Sequence, residues 1–170
     1  MMNNPLQLLI ILGAGGHTKQ MLRLVDLLGS EYHYHYVVAN YDTISEQKIR
    51  IAGPVHRIVQ PREKRLGETE SALTVVRKMP RALLQARRIL NDVHPDAVIG
   101  AGPSLQIPIA IVARLQRVPV IFIETASRGG DEISMTGKII YKYHLADRFY
   151  VQWEHHLQRY PRARFAGRLL

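Results

Sequence analysis

The 170-residue chain contains no cysteine, few aromatic residues and no long uninterrupted run of apolar residues. The absence of cysteine excludes disulfide bonds and thiolate metal sites and fits a reducing compartment. The apolar stretch 6–12 is too short for a membrane span, and it lacks the basic flank of a signal peptide. We therefore expect one domain over residues 1–170, in a protein that is soluble or bound at the periphery of a membrane.

Acidic residues are also scarce, with 14 Asp and Glu against 23 Lys and Arg and a formal net charge of +9. Such an excess favours an anionic partner, namely nucleic acid, an acidic membrane surface or a phosphorylated substrate. The sequence has no nucleic-acid recognition motif and no aromatic ladder among its basic residues. We expect no nucleic-acid partner.

Part of the charge falls on a predicted helix over residues 71–91. Arg77, Arg81 and Arg88 lie within about 40° of one another on a helical projection, while Leu73 and Val76 occupy a different side. The helix, which contains Pro80, is therefore amphipathic and basic. It is suited to an anionic membrane surface, although an ordinary solvated surface helix would show the same pattern.

The segment Gly13-Ala14-Gly15-Gly16-His17-Thr18 is the most informative motif. It follows the apolar stretch 6–12, typical of a buried strand, and precedes a helical pattern over residues 19–28. A strand, a glycine turn and a helix direct backbone N–H groups and a helix N-terminus at an anion. Without a Cβ atom, glycines allow both the tight turn and close approach of a phosphate.

Neither of the common phosphate-binding fingerprints is matched by this segment. Its Gly-x-Gly-Gly spacing differs from the dinucleotide-binding pattern, and no Lys-Ser or Lys-Thr follows as in a P-loop. A simple connecting turn stays open as an alternative to phosphate binding. His17 is either a catalytic base or an ordinary loop histidine.

Strand and helix patterns alternate along the chain, which predicts an α/β fold with a Rossmann-like open parallel sheet of about seven strands. The predicted strands are residues 6–12, 34–38, 56–59, 97–100, 118–124, 148–152 and 164–166. The predicted helices are residues 19–28, 43–50, 71–91, 105–115, 135–143 and 154–160, and residues 61–70 are predicted to be a charged loop.

Three loops should meet at the carboxyl edge of this sheet, where open α/β folds bind ligands. They are residues 13–18, residues 100–104 with Gly102 and Ser104, and residues 124–128 with Glu124 and Arg128. Glu124 closes a very apolar strand, so it could bind sugar hydroxyls, orient His17 or cap the next helix. No metal site and no cofactor are expected, because the paired His33 and His35 lack a third ligand.

Several segments together resemble the acceptor-side subunits of two-chain UDP-sugar transferases. One branch of that family adds the second N-acetylglucosamine of the dolichol-linked oligosaccharide, and bacterial branches serve capsule and exopolysaccharide synthesis. This chain has Gln20 where the family loop usually carries an acidic residue. The matching segments are residues 13–18, 61–63, 94–96, 102–103, 120–128, 133–138, 151–153, 160–161 and 167–168.

The resemblance implies a chain like the N-terminal lobe of a GT-B glycosyltransferase, active with a separate donor-binding chain. Such a lobe takes a lipid-pyrophosphate sugar acceptor at the cytoplasmic face of a membrane. We predict His17 and Glu124 as catalytic residues, with His17 taking the proton of the attacking hydroxyl. The predicted substrate-binding residues are Gly13, Gly15, Gly16, Thr18, Gly102, Ser104 and Arg128.

Two other functions compete with this prediction. A non-catalytic tether would recruit the donor-binding chain to the membrane through the basic helix. A nucleotide-binding module, such as a small oxidoreductase lobe, would need the third fingerprint glycine that this chain lacks.

Overall fold

A computed structural model describes residues 5–62, 64–65, 68–69 and 71–169 of the protein. The strands are β1 (Gln7–Ile11), β2 (His33–Ala39), β3 (Val55–Ile58), β4 (Lys64–Arg65), β5 (Glu68–Thr69), β6 (Ala97–Gly100), β7 (Val120–Ile123), β8 (Arg148–Val151) and β9 (Arg164–Phe165). The helices are α1 (Gly16–Leu28), α2 (Ala72–Val93), α3 (Gln106–Leu115), α4 (Met135–Lys142) and α5 (His156–Arg159).

Seven strands form one parallel sheet in the order β3-β2-β1-β6-β7-β8-β9, which confirms the predicted architecture. β1 lies in the interior of the sheet, between β2 and β6, and its Leu9, Ile10 and Ile11 are completely buried. A parallel strand covered on both faces requires such a continuous apolar run, because neither face meets water.

The side chains of β1 alternate between two hydrophobic cores, as the two-residue period of a strand dictates. Leu9 and Ile11 belong to the core that also contains Leu90 of α2 and Ile109 of α3. Leu8, Ile10 and Leu12 point to the opposite face and belong to the core that contains Met21 and Val25 of α1.

The strand order reverses direction at β1. The chain leaves β1 for β2 on one side, and β6 pairs with β1 on the other, with Ile11 opposite Gly100. The loops that follow two such strands leave a crevice at the carboxyl ends of the strands. The glycine segment 13–16 after β1 and the loop 101–105 after β6 border this crevice and contact each other.

Two predicted elements differ in the structure. The helix predicted over residues 43–50 is wrong, since only a 3₁₀ turn forms, Glu46–Lys48. Asp42 holds the turn by accepting hydrogen bonds from the Ser45 backbone N–H at 2.9 Å and from Ser45 Oγ at 2.6 Å. The loop predicted over residues 61–70 lies partly outside the described residues, and within them β4 and β5 pair as an antiparallel ribbon.

The basic helix α2 is confirmed and begins at the cap residue Ser71, whose side chain accepts a hydrogen bond from the Thr74 N–H. Among the side chains of α2 that the structure describes, from Leu73 onward, the first to be fully buried is Ala82. Leu73 and Val76 are therefore exposed to solvent, because the first turns of the helix extend beyond the core. None of the helices among the described residues combines the length and the apolar character that crossing a bilayer requires.

Candidate functional site

A cavity of about 450 Å³ opens at the carboxyl edge of the sheet. None of the described residues that line it is an aspartate or glutamate, whereas two are arginines. The lining residues are Ala14, His17, Tyr41, Gln60, Arg62, Gly102, Pro103, Ser104, Thr125, Ser127, Arg128, Ser134, Met135 and Thr136. The volume and the positive charge suit a small anionic ligand.

His17 occupies the second position of α1 and joins two of the predicted loops. Its Nδ1 lies 2.5 Å from the carbonyl oxygen of Ala101. A carbonyl only accepts hydrogen bonds, so Nδ1 carries the proton and Nε2 of the neutral ring holds the lone pair. This tautomer is the one that a general base requires.

The three predicted glycines of the first loop, Gly13, Gly15 and Gly16, have different surroundings. A Cβ atom on Gly13 would lie 2.5 Å from Pro103 Cβ, and Gly15 has a φ of 69°, which favours glycine. A Cβ atom on Gly16 would meet nothing within 4 Å. Gly15 and Gly16 line a neighbouring cavity of about 510 Å³ beside Lys19 and Lys48, whereas Gly13 packs behind the turn.

Thr18 faces the protein interior and lines neither cavity. It is completely buried, and its hydroxyl contacts the Gly13 carbonyl oxygen and lies 2.6 Å from Ser45 Oγ. The structure therefore gives Thr18 the role of closing the glycine turn from behind, because it cannot touch a ligand in the cavity.

The second loop contributes Gly102 and Ser104 to the cavity, as predicted. Gly102 has a φ of 83°, and a Cβ atom there would lie 3.7 Å from Cε1 of His17. Its N–H donates to Oε1 of the buried Gln106 at 3.2 Å. Ser104 Oγ donates to the Arg62 carbonyl oxygen at 2.8 Å, so its hydroxyl proton is already engaged.

Glu124 is completely buried and is not among the residues that line the cavity. Its carboxylate accepts hydrogen bonds from the Thr125 N–H and from Ser134 Oγ, each at 3.0 Å. Burial raises the pKa of this carboxyl to about 7, although both hydrogen bonds oppose the shift. A Cβ atom at Gly137 would overlap the carboxylate.

These contacts place Glu124 at the beginning of α4. Ser134 caps that helix by accepting a hydrogen bond from the Gly137 N–H at 2.9 Å while donating to Glu124. Of the three predicted roles for Glu124, the geometry supports a role at the helix cap. Through Ser134, which does line the cavity, the glutamate determines where that wall lies.

Arg128 lines the cavity at the end of loop 124–128, and two buried amides hold that loop from behind. Gln20 Oε1 accepts from the Ala126 N–H at 3.1 Å and from Gln152 Nε2 at 2.5 Å. Gln152 Nε2 also donates to the Glu124 carbonyl oxygen at 2.8 Å. Gln20 therefore connects α1 with this loop. It is the residue at which the sequence differs from the acidic residue usual in the acceptor-side subunits that the chain resembles.

Sequence reasoning missed one part of the cavity wall. Tyr41 and Gln60 line it from the carboxyl ends of β2 and β3, together with Arg62. The rule that ligands bind at the carboxyl ends of parallel strands applies equally to these two strands, so it would have found these residues. Met135 and Thr136 join them from the first turn of α4.

The histidine pair on β2 does not form a metal centre. His35 Nδ1 lies 3.2 Å from Nε2 of His56 on β3, and burial, together with His56, lowers the pKa of His35. In the part of the chain that the structure describes, no group of three or more His, Cys, Asp or Glu could hold a metal ion.

Comparison with known sequences gives a match along nearly the whole chain. The profile of a family described as "Oligosaccharide biosynthesis protein Alg14 like" matches residues 8–169. The chain is 30% identical to the human UDP-N-acetylglucosamine transferase subunit ALG14 over 187 residues, covering 97% of this chain and 83% of the human protein. The rat protein of the same name is 33% identical with the same coverage.

Comparison with solved structures shows the fold. MurG of Acinetobacter baumannii superposes with a TM-score of 0.68 at 18% identity, over 89% of this chain and 43% of that chain. The UDP-GlcNAc 2-epimerase of Neisseria meningitidis, bound to UDP-GlcNAc, superposes with a TM-score of 0.67 at 12% identity, over 96% and 47%. The chain thus spans less than half of each of these solved chains, and the predicted GT-B-like fold is confirmed.

Proposed function

This chain belongs to the family of Alg14-like oligosaccharide biosynthesis proteins, and from that premise we propose that it is the acceptor-binding subunit of a two-chain glycosyltransferase. The reaction transfers a sugar, N-acetylglucosamine or another hexose, from a UDP-sugar to a sugar carried on a lipid diphosphate. The product belongs to lipid-linked oligosaccharide or polysaccharide synthesis. The family resemblance inferred from the sequence is confirmed.

The main observation in support of this proposal is the cavity, in which His17 has the tautomer that a general base requires. His17 has its proton on Nδ1, directed at the Ala101 carbonyl oxygen, and it shares the cavity with Arg62 and Arg128. A base beside two guanidinium groups fits a substrate that has both a hydroxyl to activate and phosphates to bind.

In the proposed mechanism, His17 Nε2 takes the proton of the attacking hydroxyl of the acceptor sugar. The hydroxyl oxygen forms a bond to C1 of the donor sugar while the bond between C1 and the UDP oxygen breaks. UDP leaves with the electron pair, and the proton stays on the imidazole until solvent removes it. The Ala101 carbonyl oxygen stabilises the imidazolium that forms, because it accepts the Nδ1 hydrogen.

The other predicted site residues form two groups in this proposal, those that contact the ligand and those that support the contacting loops. Gly102 and Arg128 contact it in the cavity. Gly15 and Gly16 line the neighbouring cavity, where the open space at both glycines leaves room for a phosphate close to the backbone. Gly13, Thr18 and Glu124 act from behind, by shaping the glycine turn and the cap of α4. Ser104 acts through Arg62.

A separate donor-binding chain is part of the proposal. The relatives are named subunits of a UDP-N-acetylglucosamine transferase, and the chain spans less than half of the solved MurG and epimerase chains. A second lobe that presents the UDP-sugar to the open cavity would complete the enzyme.

The outer surface of α2 favours a further role at an anionic membrane, at its cytoplasmic face. Leu73, Val76 and Leu84 are each more than 60% exposed, and with their helical spacing they form one stripe. Exposed arginines, including Arg77 and Arg81, flank that stripe. An exposed apolar stripe beside basic residues is typical of a helix that lies in a membrane interface, and a tether would use the same surface.

The catalytic proposal is tested by measuring sugar transfer with the donor-binding chain present. We expect His17→Ala to lower kcat about 100-fold or more. His17→Asn is the sharper variant, because its amide nitrogen takes the place of Nδ1 and can still donate to the Ala101 carbonyl, but the amide cannot accept a proton. His33→Ala, at an exposed histidine on β2, is the matched control and should transfer normally. Turnover by His17→Asn at the wild-type rate would contradict the role of His17 as a base.

A further inference from the structure

Arg62 reaches the cavity from the carboxyl end of β3, away from the three loops that the sequence indicated. It lines the same cavity as Arg128, which comes from the loop after β7. Two arginines from opposite halves of the sheet therefore line one space, and no described residue that lines it is acidic.

The backbone at Arg62 is fixed on the side that faces the protein. Its carbonyl oxygen accepts hydrogen bonds from Gln60 Nε2 at 2.7 Å and from Ser104 Oγ at 2.8 Å. Gln60 Oε1 in turn accepts from the Tyr41 hydroxyl at 2.9 Å. The preceding residue, Pro61, is buried and has a restricted φ.

The Arg62 backbone is therefore held in place beside the open cavity. The Arg62 carbonyl oxygen thus connects three loops. Gln60 of the loop after β3 and Ser104 of the loop after β6 bind it directly, and Tyr41 of the loop after β2 is connected to it through Gln60. A guanidinium group loses less conformational entropy on binding when its backbone is already held. The fixed backbone thus favours recognition of a ligand over a general surface charge.

We infer that Arg62 is a second phosphate ligand, and that Arg62 and Arg128 together make the cavity select a diphosphate over a monophosphate. One arginine fork binds two oxygens of one phosphate group. Two forks from different loops match the two phosphate groups of a diphosphate, whereas a monophosphate fills only one of them. This inference rests on the proposed function and adds the recognition of the linkage between lipid and sugar.

The experiment is a calorimetric titration of the purified chain with farnesyl diphosphate and with farnesyl monophosphate, which differ by one phosphate group and share the same tail. We expect the wild-type chain to bind the diphosphate about tenfold or more tightly. Arg62→Gln should remove most of that preference, and Arg62→Lys should keep part of it, since a lysine keeps the charge without the fork. Arg23→Gln, at an exposed arginine of α1, is the matched control.

Two results would overturn the inference. One is an Arg62→Gln chain that keeps the full preference for the diphosphate. The other is a chain in which both ligands weaken by the same factor, because a general loss of positive charge would do that. The titration involves no donor chain and no transfer, so a failure of the proposed enzyme would appear separately, as absent sugar transfer by a chain that still selects the diphosphate.

Discussion

At the scale of single residues, Glu124 shows how a chain can keep a carboxyl group in its interior. Ser134 and Thr125 hydrogen-bond to the carboxylate, and the missing side chain of Gly137 leaves room for it. Burial nevertheless disfavours the charge, so the pKa of the group rises to about 7. Between about pH 4.5 and 7, the Glu124 carboxyl group therefore keeps a proton in the folded protein that it has already lost in the unfolded chain.

This pKa shift predicts a pH-dependent stability with a definite sign. Because the carboxyl pKa is higher in the folded protein than in the unfolded chain, protonation of Glu124 stabilises the fold. The stabilisation is complete at pH values below the pKa of the unfolded chain, and it is lost as the pH rises through about 7. Between pH 5.5 and 8.5, the free energy of unfolding of the wild-type chain should fall by about 2 kcal/mol more than that of Glu124→Gln. Urea unfolding at the two pH values measures this difference.

An exposed glutamate provides the comparison. Glu31→Gln removes a carboxylate from the surface after α1, and it should leave the pH dependence of the wild-type chain unchanged. Equal pH slopes for wild-type and Glu124→Gln would show that the buried carboxyl does not titrate in this range.

At the scale of elements, the buried amides of Gln20 and Gln152 connect α1, loop 124–128 and the C-terminal segment. Gln20 Nε2 lies 3.3 Å from Thr125 Oγ1, and Gln152 Oε1 accepts from the Leu169 N–H at 2.7 Å. Both side chains are 2% exposed, so water cannot replace a lost partner. Buried donors left without acceptors are costly.

Gln20→Leu should therefore lower the free energy of unfolding by about 2–4 kcal/mol, because the Ala126 N–H and Gln152 Nε2 lose their acceptor. Gln20→Glu keeps an acceptor oxygen for both donors and should cost less. Thermal unfolding of the two variants measures the difference. Gln158→Leu, at an exposed glutamine of α5, should be nearly neutral, and a similarly neutral Gln20→Leu would contradict the importance of this contact.

The exposed stripe of α2 makes a prediction about membrane binding. Leu73→Asp combined with Leu84→Asp should reduce flotation with vesicles that contain phosphatidylglycerol about tenfold or more, since each leucine would otherwise be buried among the lipids. Leu27→Asp changes a leucine of α1 that is 70% exposed and serves as the control. If the double variant floats as well as this control, α2 is an ordinary surface helix.

Much of this arrangement could be predicted from the order of the residues. The glycine turn after β1 and the loop after β6 meet because parallel strands share a carboxyl edge, so the proximity of His17 and Gly102 could be predicted. Thr18 could not be placed, because its direction depends on the exact start of α1. The environment of Glu124 depends on Gly137, and no sequence pattern links these two positions. Arg62 belongs to a segment that matches the resembling family, but its place in the cavity depends on where the chain turns after β3.

At the scale of the whole molecule, we propose that the seven-stranded sheet with its open cavity is one lobe of a two-chain glycosyltransferase. The chain spans 43% of the MurG chain and 47% of the epimerase chain on which it superposes. In this proposal, the cavity with His17, Arg62 and Arg128 takes the acceptor, and a second lobe brings the donor to its open side. Acceptor and donor would then meet between two polypeptides.

We propose that this chain supplies the acceptor site and a second chain supplies the UDP-sugar. Transfer of radiolabelled sugar from a UDP-sugar to a lipid diphosphate-linked sugar should be measured with this chain alone, with the donor-binding chain alone and with the two mixed. We expect product only from the mixture, with the acceptor KM raised by Arg128→Gln. Equal transfer by either chain alone would contradict the two-chain enzyme, as would a donor-binding chain whose transfer is unaffected by the addition of this one.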